Sequence, residues 1–274
     1  MSPNEEKLTF WDHLDVLRGV IFRIALVVLV FGIIAFVFKD QLFAIVLAPQ
    51  HPDFITYRLL GAVCARFGIE YETATQVQLI NTGLAQQFII HMKTAICAGI
   101  IVASPYVLYQ IFSFISPGLY EKERHYAIGV ATSGYVMFII GAALSYFVIF
   151  PMTFQFLGSY QVADNVSNLI SLESYMSTLL MLSLCMGIVC EMPVLAWLFA
   201  RGGILSASFL RKYRRHAIVI ILVLAAIITP TSDVFTLMLV SVPIWLLFEV
   251  SIVITAVTEK RCQNNAVADV ECGH

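Results

Sequence analysis

Glu191 interrupts the apolar stretch M-G-I-V-C-E-M-P-V-L-A-W, residues 186–197, and Pro193 follows two positions later. A carboxylate in hydrocarbon costs about 2.5 kcal/mol or more unless water or a partner reaches it. The same question attaches to Glu249 in W-L-L-F-E-V-S-I-V, to Lys93 beside His91 and Gln87, and to Asp233 after T-P-T-S. Glu191, Glu249 and Lys93 together could form the relay of an ion- or proton-coupled small-solute transporter. Plainer roles exist for each. Lys93 can reach outward to the interface, Asp233 can cap a helix, and Glu249 can pair with a cation. Glu191 can be a protonated, hydrogen-bonded structural carboxyl. The missing N–H of Pro193 leaves a carbonyl free one turn earlier and predicts a kink beside the carboxylate.

Catalysis finds no support in the residue patterns. There is no H-E-x-x-H, no G-x-S-x-G and no phosphate-binding lysine loop. No histidine pair stands at helical spacing for a metal or haem, so neither metal nor cofactor is expected. Ser183 and His91 alone do not make a nucleophile–base pair. Six cysteines are scattered without a C-x-x-C, and Cys185 and Cys190 read as small packing residues in an apolar run.

Only an extensive apolar environment can accommodate such a chain. Of its 274 residues 59% are hydrophobic and 12% charged, against roughly 25% charged in soluble domains. The mean hydropathy is +0.86. Windows long enough to cross a bilayer, about 20 apolar residues, recur along it. The runs are continuous rather than alternating, which excludes a β-barrel. The predicted class is an all-α integral membrane protein of six transmembrane helices: Val20–Phe38, Phe88–Phe112, Tyr126–Phe150, Met176–Ala200, His216–Ile228 and Phe235–Val257. The last two are expected to be short, a length accommodated by local thinning of the bilayer. The acidic, polar N-terminus is not expected to be a cleaved signal peptide.

Basic residues set the orientation. Lys122 and Arg124 lie between the second and third runs, and Arg201, Arg211, Lys212, Arg214 and Arg215 between the fourth and fifth. Residues 152–175 and 229–233 contain no Lys or Arg. Both termini are therefore expected on the cytoplasmic side. Lys39, Arg58 and Arg66 depart from this pattern, but in a longer external loop, residues 39–87, expected to form a folded cap. The tail after Lys260 is expected to be disordered. No tandem repeat is found, and no basic tract points to nucleic acid. A single domain is expected: an amphipathic segment 1–19, a bundle 20–257 and a cytoplasmic tail 258–274.

Several stretches, in order along the chain, resemble the TatC family, the multi-span receptor subunit of the twin-arginine protein translocase. They are F-W-D-H-L-D-V-L-R at 10–18, S-P-Y-V-L-Y-Q-I-F-S-F-I-S-P-G-L-Y-E-K-E-R at 104–124 and the E-x-P-V pattern at 191–194. L-R-K-Y-R-R at 210–215, I-T-P-T-S-D-V-F at 228–235 and L-F-E at 247–249 complete the set. The resemblance implies a glove-like concave bundle in the bacterial cytoplasmic membrane, a non-enzymatic role, and transport driven by the proton motive force. It also implies partners: Arg-Arg signal peptides of folded precursors, TatA/TatB-type single-span subunits, further copies of the chain, and the lipid bilayer.

Site residues follow from the same resemblance. Glu123 matches the carboxylate of Y-x-x-E-R, with Arg124 beside it and Phe114 as an apolar contact. Charge-assisted bonds between arginine and carboxylate are short, directional and often bidentate, which suits recognition of an Arg pair. Leu17 and Arg18 match the end of the family's H-L-x-E-L-R, but its glutamate is Val16 here. Asp15 is one residue earlier and about 100° around a helix. Either a rotated Asp15 provides the second carboxylate, or there is none. Glu191, with Pro193, matches an intramembrane polar position facing the concavity. Tyr146, Asp233 and Glu249 match positions associated with partners or assembly.

Overall fold

The first apolar run is helical from further back than hydropathy alone places it. In the computed structural model, which describes residues 10–67, 78–115, 127–160, 169–229 and 233–271, helix α1 spans Phe10–Val37. H-L-D-V-L-R thus lies in its opening turns. The chain then folds back through α2 (Lys39–Val46), a 3-10 turn (Ala48–Gln50) and α3 (Ile55–Arg66), the structured cap expected of this loop. Helix α4 (Gln86–Ile115) returns alongside α1. The two run antiparallel, since Gly32 meets Gly99 while Phe36 meets Phe88 and His91.

The third run is α5 (Ala127–Leu144), a π-helical turn at Ser145–Ile149, and α6 (Phe150–Ser159). The fourth is α7 (Leu172–Val189) and α8 (Met192–Arg201), bent at Cys190 and Glu191. Helices α9 (Ala207–Lys212) and α10 (Arg214–Ile228) lead to α11 (Val234–Glu271). Two short strands, β1 (Leu79–Ile80) and β2 (Ile170–Ser171), pair in parallel and tie the loop before α4 to the loop before α7.

The protein is thus an all-α multi-span bundle. Among the described residues five helices are long and apolar enough to cross a membrane: Leu14–Val37, Gln86–Phe114, Gly129–Ser159, Leu172–Arg201 and Val234–Arg261. Two expectations need correction. The last run is not short, because α11 continues for 38 residues. The tail expected to be disordered carries that helix on through Glu271. Its polar residues simply prolong a helix already nucleated in the apolar part, where each added residue gains a backbone bond. Only α10 is short. Its 15 residues rise about 22 Å, less than a hydrocarbon core of about 30 Å.

Two of the prolines inside the spans leave carbonyls that side chains serve. Pro105 has no N–H for the Ile101 carbonyl, and Ser104 Oγ donates to that oxygen at 2.7 Å. Pro151 likewise leaves the Phe147 carbonyl, which Thr56 Oγ1 of α3 serves instead. Tyr57 Oη donates to the carbonyls of Pro49 and Pro151 at 3.2 and 3.1 Å. Tyr175 Oη donates to Val46 at 3.1 Å, with its ring edge-on to Phe150 and Phe154. Such satisfaction is obligatory where no water competes.

Helix contact rests on small residues, which let backbones approach in the absence of a hydrophobic drive between helices. A Cβ on Gly99 would lie 2.7 Å from the Gly32 nitrogen, and one on Gly141 would lie 2.5 Å from the Met186 carbonyl. Gly187 receives the Phe138 ring, whose Cε2 would stand 2.7 Å from a Cβ at that position. Gly129 faces open space. Gly141→Ala is therefore expected to lower stability by about 1–3 kcal/mol, as overpacking does. Gly129→Ala is expected to be neutral or slightly stabilising. Thermal unfolding of the two variants in detergent checks this, and equal midpoints would contradict the close approach of α5 and α7.

Candidate functional site

At one end of the α1–α4 pair stand Asp15, Leu17, Arg18 and Phe114. The antiparallel crossing of Gly32 and Gly99 fixes the register. Each step towards the N-terminus of α1 matches one towards the C-terminus of α4, which brings Phe114 level with Leu17. Asp15 and Arg18 are exposed, and Leu17 and Phe114 are partly buried. Val16 is exposed as well, so positions 15 and 16 are both open to a ligand and neither is committed to the core. Glu123 and Arg124 lie outside the described residues, eight and nine positions beyond the last residue of α4.

Glu191 sits where the fourth span bends. Val189 ends α7, Met192 begins α8, and Pro193 falls in the first turn of α8, where a missing N–H is tolerated. The Glu191 N–H bonds back to the Ile188 carbonyl at 3.1 Å, the tight spacing of a helix end. Its side chain turns into the bundle and is only 6% exposed. Gly134 of α5 makes the room, since a Cβ there would come 2.9 Å from Glu191 Oε2 and 3.0 Å from the Phe112 ring. Neither carboxyl oxygen accepts a hydrogen bond from a described residue. Beside this point an apolar groove of about 430 Å³ runs between α5, α8 and α11, lined by Ser133, Met137, Pro193, Trp197, Val250 and Ile254 among others.

Glu249, Lys93 and Asp233 have partners of their own. Arg214 at the start of α10 donates to Glu249 of α11. Lys93 lies 3.8 Å from Glu173, which also accepts from Gln86 Nε2 at 2.8 Å. Asp233 Oδ2 accepts from the Thr236 N–H at 2.6 Å and caps α11. Tyr146 Oη donates to the Ile45 carbonyl at 2.6 Å, and its ring packs against Phe54 and Phe147. Glu191, Glu249 and Lys93 thus belong to three separate environments, and nothing supports a solute-transporting relay through them.

Three contributors escaped sequence reasoning. Arg214 and Glu249 are 35 residues apart, with no local pattern linking them. Gly134 carries no signal except its size. Glu173 was legible in principle, since Ser171 caps α7 by accepting from the Ser174 N–H, and an acid in the first turn marks a helix start.

A model of the family described as Sec-independent protein translocase protein (TatC) matches residues 12–243. The chain belongs to the TatC family. The TatC of Desulforapulum autotrophicum is 33% identical, the alignment covering 95% of this chain and 89% of that protein. The TatCy of Bacillus subtilis is 33% identical over 79% of this chain and 86% of its own. A crystal structure of the twin-arginine translocase receptor TatC superposes with a TM-score of 0.73 at 29% identity, covering 90% of this chain and 99% of that one. The chain is therefore a TatC-type receptor subunit of the twin-arginine translocase, a multi-span bacterial inner-membrane protein and not an enzyme.

Because no described group bonds the Glu191 carboxyl, Glu191→Leu is expected to leave the isolated chain as stable as before or to stabilise it by about 1–3 kcal/mol. Thermal unfolding in detergent measures this. A clear fall in the midpoint would show that the carboxyl is bonded within the fold.

Proposed function

We propose that this TatC-type subunit crosses the membrane six times with both termini cytoplasmic, and that it reads the arginine pair of a signal peptide at the cytoplasmic end of α1 and α4. The observation that carries this reading is the common level of Asp15, Leu17, Arg18 and Phe114, reached from two helices. Glu123 and Arg124 follow α4 closely enough to join them. In this reading Glu123 docks the arginine pair, Phe114 takes an apolar neighbour, and Arg18 orients the acidic groups. The absence of an acid at position 16 leaves Asp15 as the carboxylate on α1.

The apolar part of the signal peptide then lies along the membrane-embedded surface. The groove beside Pro193 supports a docked helix, and Glu191, buried next to it, would give that helix a polar contact only after the bend opens locally. TatA/TatB-type single-span subunits and further copies of the chain are the assigned partners, with Tyr146, Asp233 and Glu249 shaping the surfaces they meet. Helix α10, tied to α11 by Arg214 and Glu249, serves as the fifth crossing. Its length of about 22 Å favours a locally thinned bilayer. Export is driven by the proton motive force.

Glu123→Gln is expected to abolish crosslinking between the chain and a precursor bearing an Arg-Arg signal peptide, while a precursor with Lys-Lys crosslinks to neither form. Undiminished crosslinking of the variant would overturn the assignment of Glu123. Val16→Glu is expected to bind the precursor equally or more strongly, and Asp15→Ala to bind it less. Unchanged binding in Asp15→Ala would leave recognition without a carboxylate on α1.

A further inference from the structure

Helix α3 carries an apolar stripe that the bundle does not cover. Ile55, Leu59, Val63 and Phe67 recur at every fourth position and are each between 49% and 78% exposed. Residues at this spacing lie on one side of a helix. Arg58 and Arg66 are also exposed along α3. The N-terminal turn is fixed to the protein: Tyr57 is buried between the carbonyls of Pro49 and Pro151, Thr56 donates to the Phe147 carbonyl, and Phe54 stacks on Phe147 at 5.8 Å.

That attachment determines the depth. Phe147 lies 18 residues from one end of the candidate span Gly129–Ser159 and 12 from the other, about 27 and 18 Å at 1.5 Å per residue. The whole span is about 46 Å long, and the hydrocarbon core is about 30 Å thick. A core centred on the span includes Phe147, which lies three residues, about 4.5 Å, from its middle. Phe147 and the adjacent Val148 are themselves exposed on this chain, at a depth where lipid is the solvent. The N-terminal turn of α3 is bonded to this same position and shares its surroundings.

We infer that α3 is an interfacial helix embedded in the lipid leaflet on the side of the membrane opposite the N-terminus. Its stripe enters the acyl region, while Arg58 and Arg66 extend to the phosphates. Arg66, three residues after Val63, ends the apolar face itself. Arginines that reach from an apolar face to the headgroups are the pattern of a helix lying in the plane of the interface. The stripe continues a surface that lipid already wets at Phe147 and Val148. The occupant assigned to it is therefore lipid, not a second protein. In this position α3 would brace the outer half of the third span, where Pro151 breaks the backbone ladder.

The test uses the full chain reconstituted in vesicles of phosphatidylethanolamine and phosphatidylglycerol, doped with a phospholipid carrying a diazirine on its acyl chain. After photolysis, cleavage at Arg58 and Arg66 releases the peptide Leu59–Arg66, and the α1 peptide Ile24–Lys39 serves as the lipid-exposed reference. Acyl adducts on Leu59 and Val63, at a yield similar to that of the α1 peptide, are the expected result. An unlabelled Leu59–Arg66 beside a labelled α1 peptide overturns the inference. So does crosslinking to a second copy of the chain in place of lipid when, in a parallel sample, a diazirine-bearing amino acid stands at position 59. The double variant Leu59→Asn with Val63→Asn changes only exposed side chains. It is expected to lose the α3 adducts while keeping those of α1, and unchanged α3 labelling in that variant also overturns the inference.

Discussion

The approach of α5 to the bent fourth span is the contact on which the arrangement of the bundle depends. Gly141 admits the Met186 carbonyl and the Cys190 side chain, Gly187 admits the Phe138 ring, and Gly134 admits the Glu191 carboxyl. In lipid, two apolar helices gain little from leaving the solvent, so their association relies on close packing and on polar contacts. Glycine permits that packing because it holds back nothing beyond the backbone. The same contact leads to the buried carboxylate. A Cβ at position 134 would stand 2.9 Å from Glu191 Oε2, so the carboxyl would have to shift.

A second set of constraints holds the far end of the bundle. There β1 and β2 join two loops, Glu173 gathers Gln86 and Lys93, and the hydroxyls of Tyr57, Tyr146 and Tyr175 each reach a main-chain carbonyl of another segment. Several of those carbonyls belong to prolines or to their neighbours. Prolines shape the spans here, and side chains from elsewhere supply the donors they lack. The end bearing Asp15, Arg18 and Phe114 is different in character. There Asp15 and Arg18 are exposed, with no such cross-links from either to another described segment.

The class of the protein, the position of its apolar runs, and its membership of the TatC family were legible in residue order alone. Long apolar windows report burial in lipid directly, because every backbone group there must bond within its own helix. Helix ends were less legible. The first helix begins ten residues before the hydropathic run Val20–Phe38, since H-L-D-V-L-R has the spacing of a helix although its composition is polar. The last helix outruns its apolar part for the same reason. The short motifs named the groups of the candidate site, whereas the level shared by Leu17 and Phe114 required the register of two helices.

What the sequence by itself determined is therefore the solvent, the order of the elements and the family. Each is encoded in composition or in neighbours a few positions apart. Only the tertiary structure decided which charges are paired and which are not. Glu249 is matched by Arg214, Lys93 by Glu173, and Asp233 Oδ2 by the Thr236 N–H, while the Glu191 carboxyl rests against a glycine with no described donor. Apart from the Asp233 cap, those outcomes depend on contacts between distant segments. The Coulombic and desolvation energies of a buried group are set by what lies within a few ångströms of it, not by what is adjacent in the chain.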